Sequence, residues 1–275
     1  MQTLYIGNTL INDIFLGSQR IDDALRVDPN PYSVPPVTNG LEVYLTTYTT
    51  ASYASGSSAW LDLSGNSRDF KLANTVIWPS GSLTGIVLGV TGSKFSTATY
   101  NVVNGLPFTF NTQGTYFYVI RQAPTLDIPN GAGAIGSINN SGSSNNDFTN
   151  YQRHAIGDEN PQASLYTDGI AYLKTTQDRN SYLTGSHHLV YATWITGSNN
   201  AKISIDKFTP VTGSVFNFIS ANSGSMRISL GTNASLTQID NAGCAFFEVA
   251  YYSRKLTDSE LSSSVDYFCN RYSIV

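Results

Sequence analysis

The stretch that most constrains this chain is its last one, Gly243 to Val275, GCAFFEVAYYSRKLTDSELSSSVDYFCNRYSIV. From Ala245 to Tyr252 every residue but Glu248 is aromatic or aliphatic. A strand with one wet face alternates, so a run this short and this apolar reads as an interior strand with both faces covered. Beyond the turn at Ser253, Arg254 and Lys255 comes Thr257-Asp-Ser-Glu260. Here the threonine hydroxyl can accept from the Glu260 amide while the glutamate reaches back to the Thr257 amide, which is a capping box. Leu256 and Leu261 stand where a hydrophobic staple would join. Leu261, Val265, Phe268 and Tyr272 then recur at three- and four-residue spacing and give one apolar stripe. A covered strand followed by a short helix laid on its sheet is the predicted end of the molecule.

Upstream the pattern is strand after strand. Leu41, Val43 and Leu45 alternate, Thr115 to Ile120 is a β-forming run, and Leu189 to Ile195 carries Val190, Tyr191 and Trp194. Ile203 and Ile205 alternate, as do Ile228 and Leu230. Turn clusters of Gly, Asn and Ser follow every ten to fifteen residues, which predicts an antiparallel sandwich and not a parallel α/β sheet. At 275 residues the chain can bury one large core.

The closing residues, EVAYYSRKLTDSELSSSVDYFCNRY, resemble the end of the laminin-G-like, concanavalin-A-like family. In that family an acidic, aliphatic and tyrosine-bearing strand runs through R-x-L-T/S-x-x-E into a short helix. Gly40-Leu-Glu-Val-Tyr-Leu45 followed by Trp60-Leu-Asp-Leu-Ser-Gly-Asn66 is similar to the family's opening strand and its W-x-D-x-S-G-N turn. The resemblance spans residues 40 to 275. It implies an all-β, antiparallel jelly-roll sandwich with a short C-terminal helix, and it specifies a fold, not an activity.

Residues 3 to 27 hold a repeat of ten residues: Leu4-Tyr-Ile-Gly7 returns as Ile14-Phe-Leu-Gly17, and Leu10-Ile11 is echoed by Arg20-Ile21. Strands this short have too little area to fold alone, so they pack on the sandwich as an extra hairpin or on another chain as an anchor. The proline-rich Asp28 to Pro36 favours the anchor, because it extends as polyproline II and holds the repeat at a distance. YIGNTLINDIFLGSQRI also resembles N-terminal segments of tailed-phage virion proteins. The expected organisation is an N-terminal β-hairpin arm over 1–27, a linker over 28–39 and the sandwich over 40–275. Tyr5, Ile6, Ile14, Phe15, Leu16 and Ile21 are the expected anchoring residues.

Charged residues make up only 12% of the chain, with 17 tyrosines and a net charge of −4. No basic run is present to neutralise phosphates, so no nucleic-acid partner is expected. No apolar run approaches a membrane span, and the opening Met1-Gln-Thr-Leu lacks a positive n-region, so neither membrane nor secretion is expected. Glycan hydrolases of this fold deliver paired carboxylates by Glu-x-Asp-x-Glu alternation on one strand. That alternation is missing here: Asp158 and Glu159 are adjacent and diverge on a strand, and Glu248 stands alone and reads as structural. His154, His187 and His188 offer no metal-ligand spacing. No enzyme activity, cofactor or metal is expected.

Trp60 and Trp194 read as core. Trp78, ahead of Pro79-Ser-Gly81, is the candidate exposed ring. The Asn- and Ser-rich segment 139–161 reads as a long loop with a short strand inside it, and its Phe148 and Tyr151 are candidate ligand contacts. Cys244 and Cys269 are expected as reduced thiols. The expected function is a non-enzymatic virion structural protein, a capsid decoration, head fibre or tail component, made in the host cytoplasm. Its partners would be other virion proteins, copies of itself in the particle and a cell-surface glycan. A glycan-binding host-recognition module is the alternative, and a carbohydrate-active enzyme the weaker one.

Overall fold

The structure, a computed structural model, describes residues 4–6, 9–11, 15–16, 19–20, 34–48, 58–73, 76–80, 83–91, 94–102, 113–122, 131–140, 148–154, 162–167, 170–174, 186–195, 200–214, 226–230 and 244–275. It divides into two units, Met1–Ser33 and Val34–Val275. In the first unit β1 (Leu4–Ile6) pairs antiparallel with β2 (Thr9–Ile11), and β3 (Phe15–Leu16) with β4 (Gln19–Arg20). The ten-residue repeat is therefore a repeat of hairpins.

The second unit contains β5 (Leu41–Thr46), β6 (Ala59–Trp60), β7 (Phe70–Ala73), β8 (Val76–Ser80), β9 (Leu83–Thr91), β10 (Lys94–Val102), β11 (Gln113–Gln122), β12 (Gly131–Asn140), β13 (Phe148–His154) and β14 (Gln162–Thr167). It continues with β15 (Ile170–Lys174), β16 (His188–Ile195), β17 (Ala201–Ile205), β18 (Val211–Gly213), β19 (Met226–Leu230), β20 (Cys244–Tyr252) and α1 (Asp258–Tyr272). One sheet runs β8-β9-β20-β11-β16-β17-β18, with β5 beside the C-terminal half of β20. The other runs β15-β14-β13-β12-β19-β10, with β7 and then β6 beyond β10. The β9–β10 hairpin crosses between them. All of these pairings are antiparallel, as the turn spacing predicts.

Three layers result. Between the sheets, Val43, Leu45, Tyr116, Tyr118, Val249 and Tyr251 of the first pack with Trp60, Phe70, Leu72, Ile228 and Leu230 of the second. On the far face of the first sheet, Tyr44, Phe117, Val119, Leu189, Phe247 and Tyr252 meet Leu261, Val265, Phe268 and Tyr272 of α1. This double coverage is why β20 is apolar almost throughout, and Trp60 and Trp194 are core residues as expected. Val119 faces Glu248 while Ile120 faces Phe246, so Phe247 is an extra residue, a bulge, at the point where β20 changes partner from β9 to β5. Its carbonyl is not lost, because the Thr47 amide donates to it at 2.8 Å.

The terminal helix carries the capping box: Glu260 N donates to Thr257 Oγ1 at 3.3 Å and Thr257 N to Glu260 Oε2 at 2.9 Å. Arg254 grips the same carboxylate with both terminal nitrogens at 2.8 and 2.7 Å, and with Nε donates to the Asn39 carbonyl at 2.9 Å. That fork holds the Glu260 carboxyl down to about 2. Gly40 sits at φ +77°, where a Cβ would meet the Arg254 side chain at 3.0 Å. Residues 34–39, the second half of the stretch read as a linker, are thus fastened to the sandwich: Val37 is buried and its carbonyl accepts from the Tyr252 hydroxyl at 3.0 Å. Residues 28–33 lie outside the described residues.

The Trp60 to Asn66 motif acts as a clasp on β5. Asp62 accepts from the amides of Tyr44 (2.8 Å), Ser64 (2.9 Å) and Arg68 (3.0 Å). Asn66 Nδ2 donates to the Leu41 carbonyl at 2.9 Å, and Trp60 Nε1 to that of Thr46 at 3.0 Å. Those contacts tie the motif to a strand 14 to 25 residues earlier in the chain.

Candidate functional site

The buried polar groups come first, because a cluster of titratable side chains is the usual mark of a catalytic centre. Glu248, fully buried, accepts from the hydroxyls of Tyr44 at 2.8 Å and Thr46 at 3.0 Å, and Arg271 Nε lies 3.3 Å from its Oε1. The Arg271 guanidinium also covers the Tyr48 ring at 4.1 Å from its centroid and donates to the Tyr267 hydroxyl. Burial works to lower the Arg271 pKa, but the Glu248 carboxylate and the surrounding tyrosines reverse the effect and leave it raised. The cluster is a pin between β20, β5 and α1, and Glu248 is structural as the sequence suggests.

His188 and Asp206 form a second buried pair, Nδ1 to Oδ2 2.8 Å, with Asp206 Oδ1 also accepting from the Leu189 amide at 2.7 Å. Asp206 lies at φ +54° in the turn just after β17, so the pair closes the open end of the β16–β17 hairpin. Between the sheets, Tyr118 and Tyr251 share a hydrogen bond of 2.5 Å between fully buried hydroxyls. Cys269 is a free, buried thiol whose pKa desolvation pushes up to about 12, which makes it unreactive. Among the described residues no group of His, Cys, Asp and Glu could hold a metal ion. None of these clusters presents a nucleophile and base to solvent.

A different site emerges from register. In β7, Phe70 and Leu72 are buried while Lys71 and Ala73 are exposed, which fixes the outward face of the second sheet. Lys71 lies opposite Thr99, Thr99 opposite Ser229, Ser229 opposite Ser137, Ser137 opposite Thr149 and Thr149 opposite Tyr166. One row of Lys71 and five hydroxyl-bearing residues thus crosses six strands, a span of roughly 24 Å at the usual strand spacing of about 4.8 Å. A flanking row reads Asn101, Arg227, Asn139, and on the other side Tyr151 lies opposite Ser164. The strands of this sheet contain no Asp or Glu at all. Such a face offers hydroxyl and amide groups with two tyrosines, and it has no strand-borne carboxylate for acid–base work.

The residues selected from sequence do not come together. Tyr151 falls on this outward face. Phe148, three residues away on β13, occupies the opposite face, in a row with Ile138 and the buried Ile228. Trp78 belongs to the other sheet: it lies on β8, paired with β9, directly opposite Gly85. A Cβ at Gly85 would meet the Phe247 ring and the Ala245 Cβ, both at 2.9 Å, so only glycine admits that close packing. Tyr5, Ile6, Phe15 and Leu16 lie in the N-terminal hairpins, whereas Ile14 and Ile21 lie outside the described residues. Sequence reasoning passed over Thr99, Ser137, Tyr166 and Ser229; a signal was present for Thr99 alone, in that residues 70 to 126 contain no Asp or Glu.

No protein-family model and no curated protein matches the chain. Solved structures do. Trypanosoma rangeli sialidase in complex with sialic acid matches with a TM-score of 0.59 at 16% identity, over 86% of this chain and 34% of the sialidase. The binding domain of botulinum neurotoxin DC in complex with SialylT matches with a TM-score of 0.57 at 12% identity, over 84% of this chain and 52% of that domain. The binding domain of serotype D/C VPI 5993 gives 0.58 at 12% identity. The chain therefore spans about a third of the sialidase and half of the toxin domains. At these identities the likeness establishes the β-sandwich fold.

Proposed function

We propose that this chain is a carbohydrate-binding module of the laminin-G-like type that holds glycans on the outward face of its second sheet and does not cleave them. The observation that carries this reading is the row from Lys71 to Tyr166, a surface of hydroxyl and amide residues on strands without a single carboxylate. Hydrolysis by a carboxylate pair has nothing to use there, while sugar hydroxyls find donors and acceptors along the row. The fold is shared with a sialidase seen with sialic acid and a toxin domain seen with SialylT, which supports a glycan as the ligand class.

The test is a glycan array read with the full chain and with Tyr151→Ala and Tyr166→Ala. Binding that falls about tenfold in each variant, the loss expected of a truncated aromatic contact, supports the site. Unchanged binding in both moves it elsewhere.

The hairpin repeat favours a second component of the same reading, attachment to a tailed-phage particle. Among the described residues the two short hairpins pair within themselves, and apolar strands of such length, Leu4–Ile6 for one, call for a partner. A particle would present many copies, and multivalency raises avidity by about a hundredfold or more without a new contact. Removal of residues 1–27 is expected to abolish incorporation into the particle while leaving array binding intact. Incorporation that survives the deletion would refute the anchor.

A further inference from the structure

We infer that the outward face of the second sheet selects an acidic polysaccharide, one bearing spaced carboxylates, an inference that rests on the carbohydrate-binding reading above. The chain as a whole is acidic, with 19 Asp and Glu against 15 Lys and Arg. The second sheet reverses that balance: its strands hold Lys71, Lys94, Arg153, Lys174 and Arg227 and no acid. Register sorts these cations by face. Arg227 lies in the row next to Lys71, opposite Asn101 and Asn139. Arg153 lies opposite Gln162, and Lys174 opposite Ser164, which in turn lies opposite Tyr151. Lys71, Arg227, Arg153 and Lys174 therefore share the outward face.

Their spacing decides between polyanions. With strands about 4.8 Å apart and same-face neighbours about 6.8 Å apart along a strand, the backbone positions of Lys71 and Arg227 stand roughly 12 Å from each other. Arg153 and Lys174 are separated by about the same, and Arg227 lies roughly 22 Å from Arg153. Duplex nucleic acid presents a charge about every 1.7 Å and calls for a continuous basic stripe. Four isolated cations with Ser, Thr, Asn and Tyr between them fit a chain that is mostly hydroxyl with an occasional carboxylate, and arginine forks match that carboxylate two bonds at a time.

The experiment uses the full chain against polygalacturonate, polysialate and alginate, with the methyl esters of the same polymers, neutral dextran and duplex DNA as comparisons. Binding to at least one acidic polymer, weakened about tenfold or more by esterification and by a rise from about 50 to 200 mM salt, is the expected result. The quadruple variant Lys71→Gln, Arg153→Gln, Lys174→Gln, Arg227→Gln is expected to lose it, and Lys207→Gln, away from this sheet, to keep it. The salt and ester arms need no variant and stand even if the quadruple variant does not fold. Binding to dextran and esters as tight as to the acids overturns the inference and leaves the carbohydrate reading in place. Equal or tighter binding to DNA overturns the inference as well. Failure to bind any polysaccharide, acidic or neutral, overturns both.

Discussion

At Glu248 one carboxylate fastens three elements, and removing it would leave the Arg271 guanidinium buried without its counter-charge. Breaking a buried pair from one side costs about 3–5 kcal/mol, whereas replacing both partners by apolar groups is close to neutral. Glu248→Gln is therefore expected to lower the unfolding free energy by an amount in that range, seen as a lower urea midpoint, and Glu248→Leu with Arg271→Met to recover most of it. A single substitution that leaves the midpoint unmoved would mean that the pair is not closed. His187 supplies the pH dependence. It packs against Phe247 and Tyr272 with ring centroids at 4.4 and 5.2 Å, and burial, then Arg121 and His188, lower its pKa to about 4. The unfolded chain binds that proton near 6.5 and the folded chain only near 4, so stability is full above about 6.5 and falls as the pH drops towards 4. His187→Gln is expected to flatten the denaturation midpoint across that window.

The helix is the element in which sequence and structure agree most closely. Phe268 packs on Phe117 at 5.1 Å between ring centroids, and Leu261 is buried on the same face. Replacing either by alanine is expected to cost about 2–5 kcal/mol, and Thr257→Ala about 1 kcal/mol through the lost cap, read as shifts in thermal or urea unfolding. Thr257, Glu260, Leu261 and Phe268 were legible because their partners are either within a turn or on a face that periodicity defines. The clasp at Asp62 was legible only through the resemblance of its motif, because Asp62 meets Tyr44 across 18 residues and Asn66 meets Leu41 across 25. The pair His188–Asp206 was not, since nothing in a sequence says that these two meet across a hairpin. The outward row was hidden for a stronger reason: Thr99, Ser137 and Ser229 are unremarkable polar residues in three separate strands, and only register makes them neighbours. Trp78, Phe148 and Tyr151 were alike candidate ligand contacts, and strand parity and sheet membership separate them.

At the scale of the molecule, the chain divides into two units, Met1–Ser33 and Val34–Val275. The sandwich from Val34 onward has its own double core, so the chain without residues 1–27 is expected to melt cooperatively and stay monomeric, as sedimentation would show. The hairpin arm is too small for a core of its own, which is why attachment is proposed for it. Recognition, on the reading proposed above, falls to the sandwich, on the outward face of its second sheet. The most direct measurement is a crystal structure of the chain with an oligosaccharide taken from the array. The ligand is expected to lie across β10, β19, β12 and β13, in contact with Thr99, Ser229, Ser137 and Tyr151. A sugar bound instead on the α1 side of the first sheet, beside Trp78 and clear of that row, would contradict the assignment.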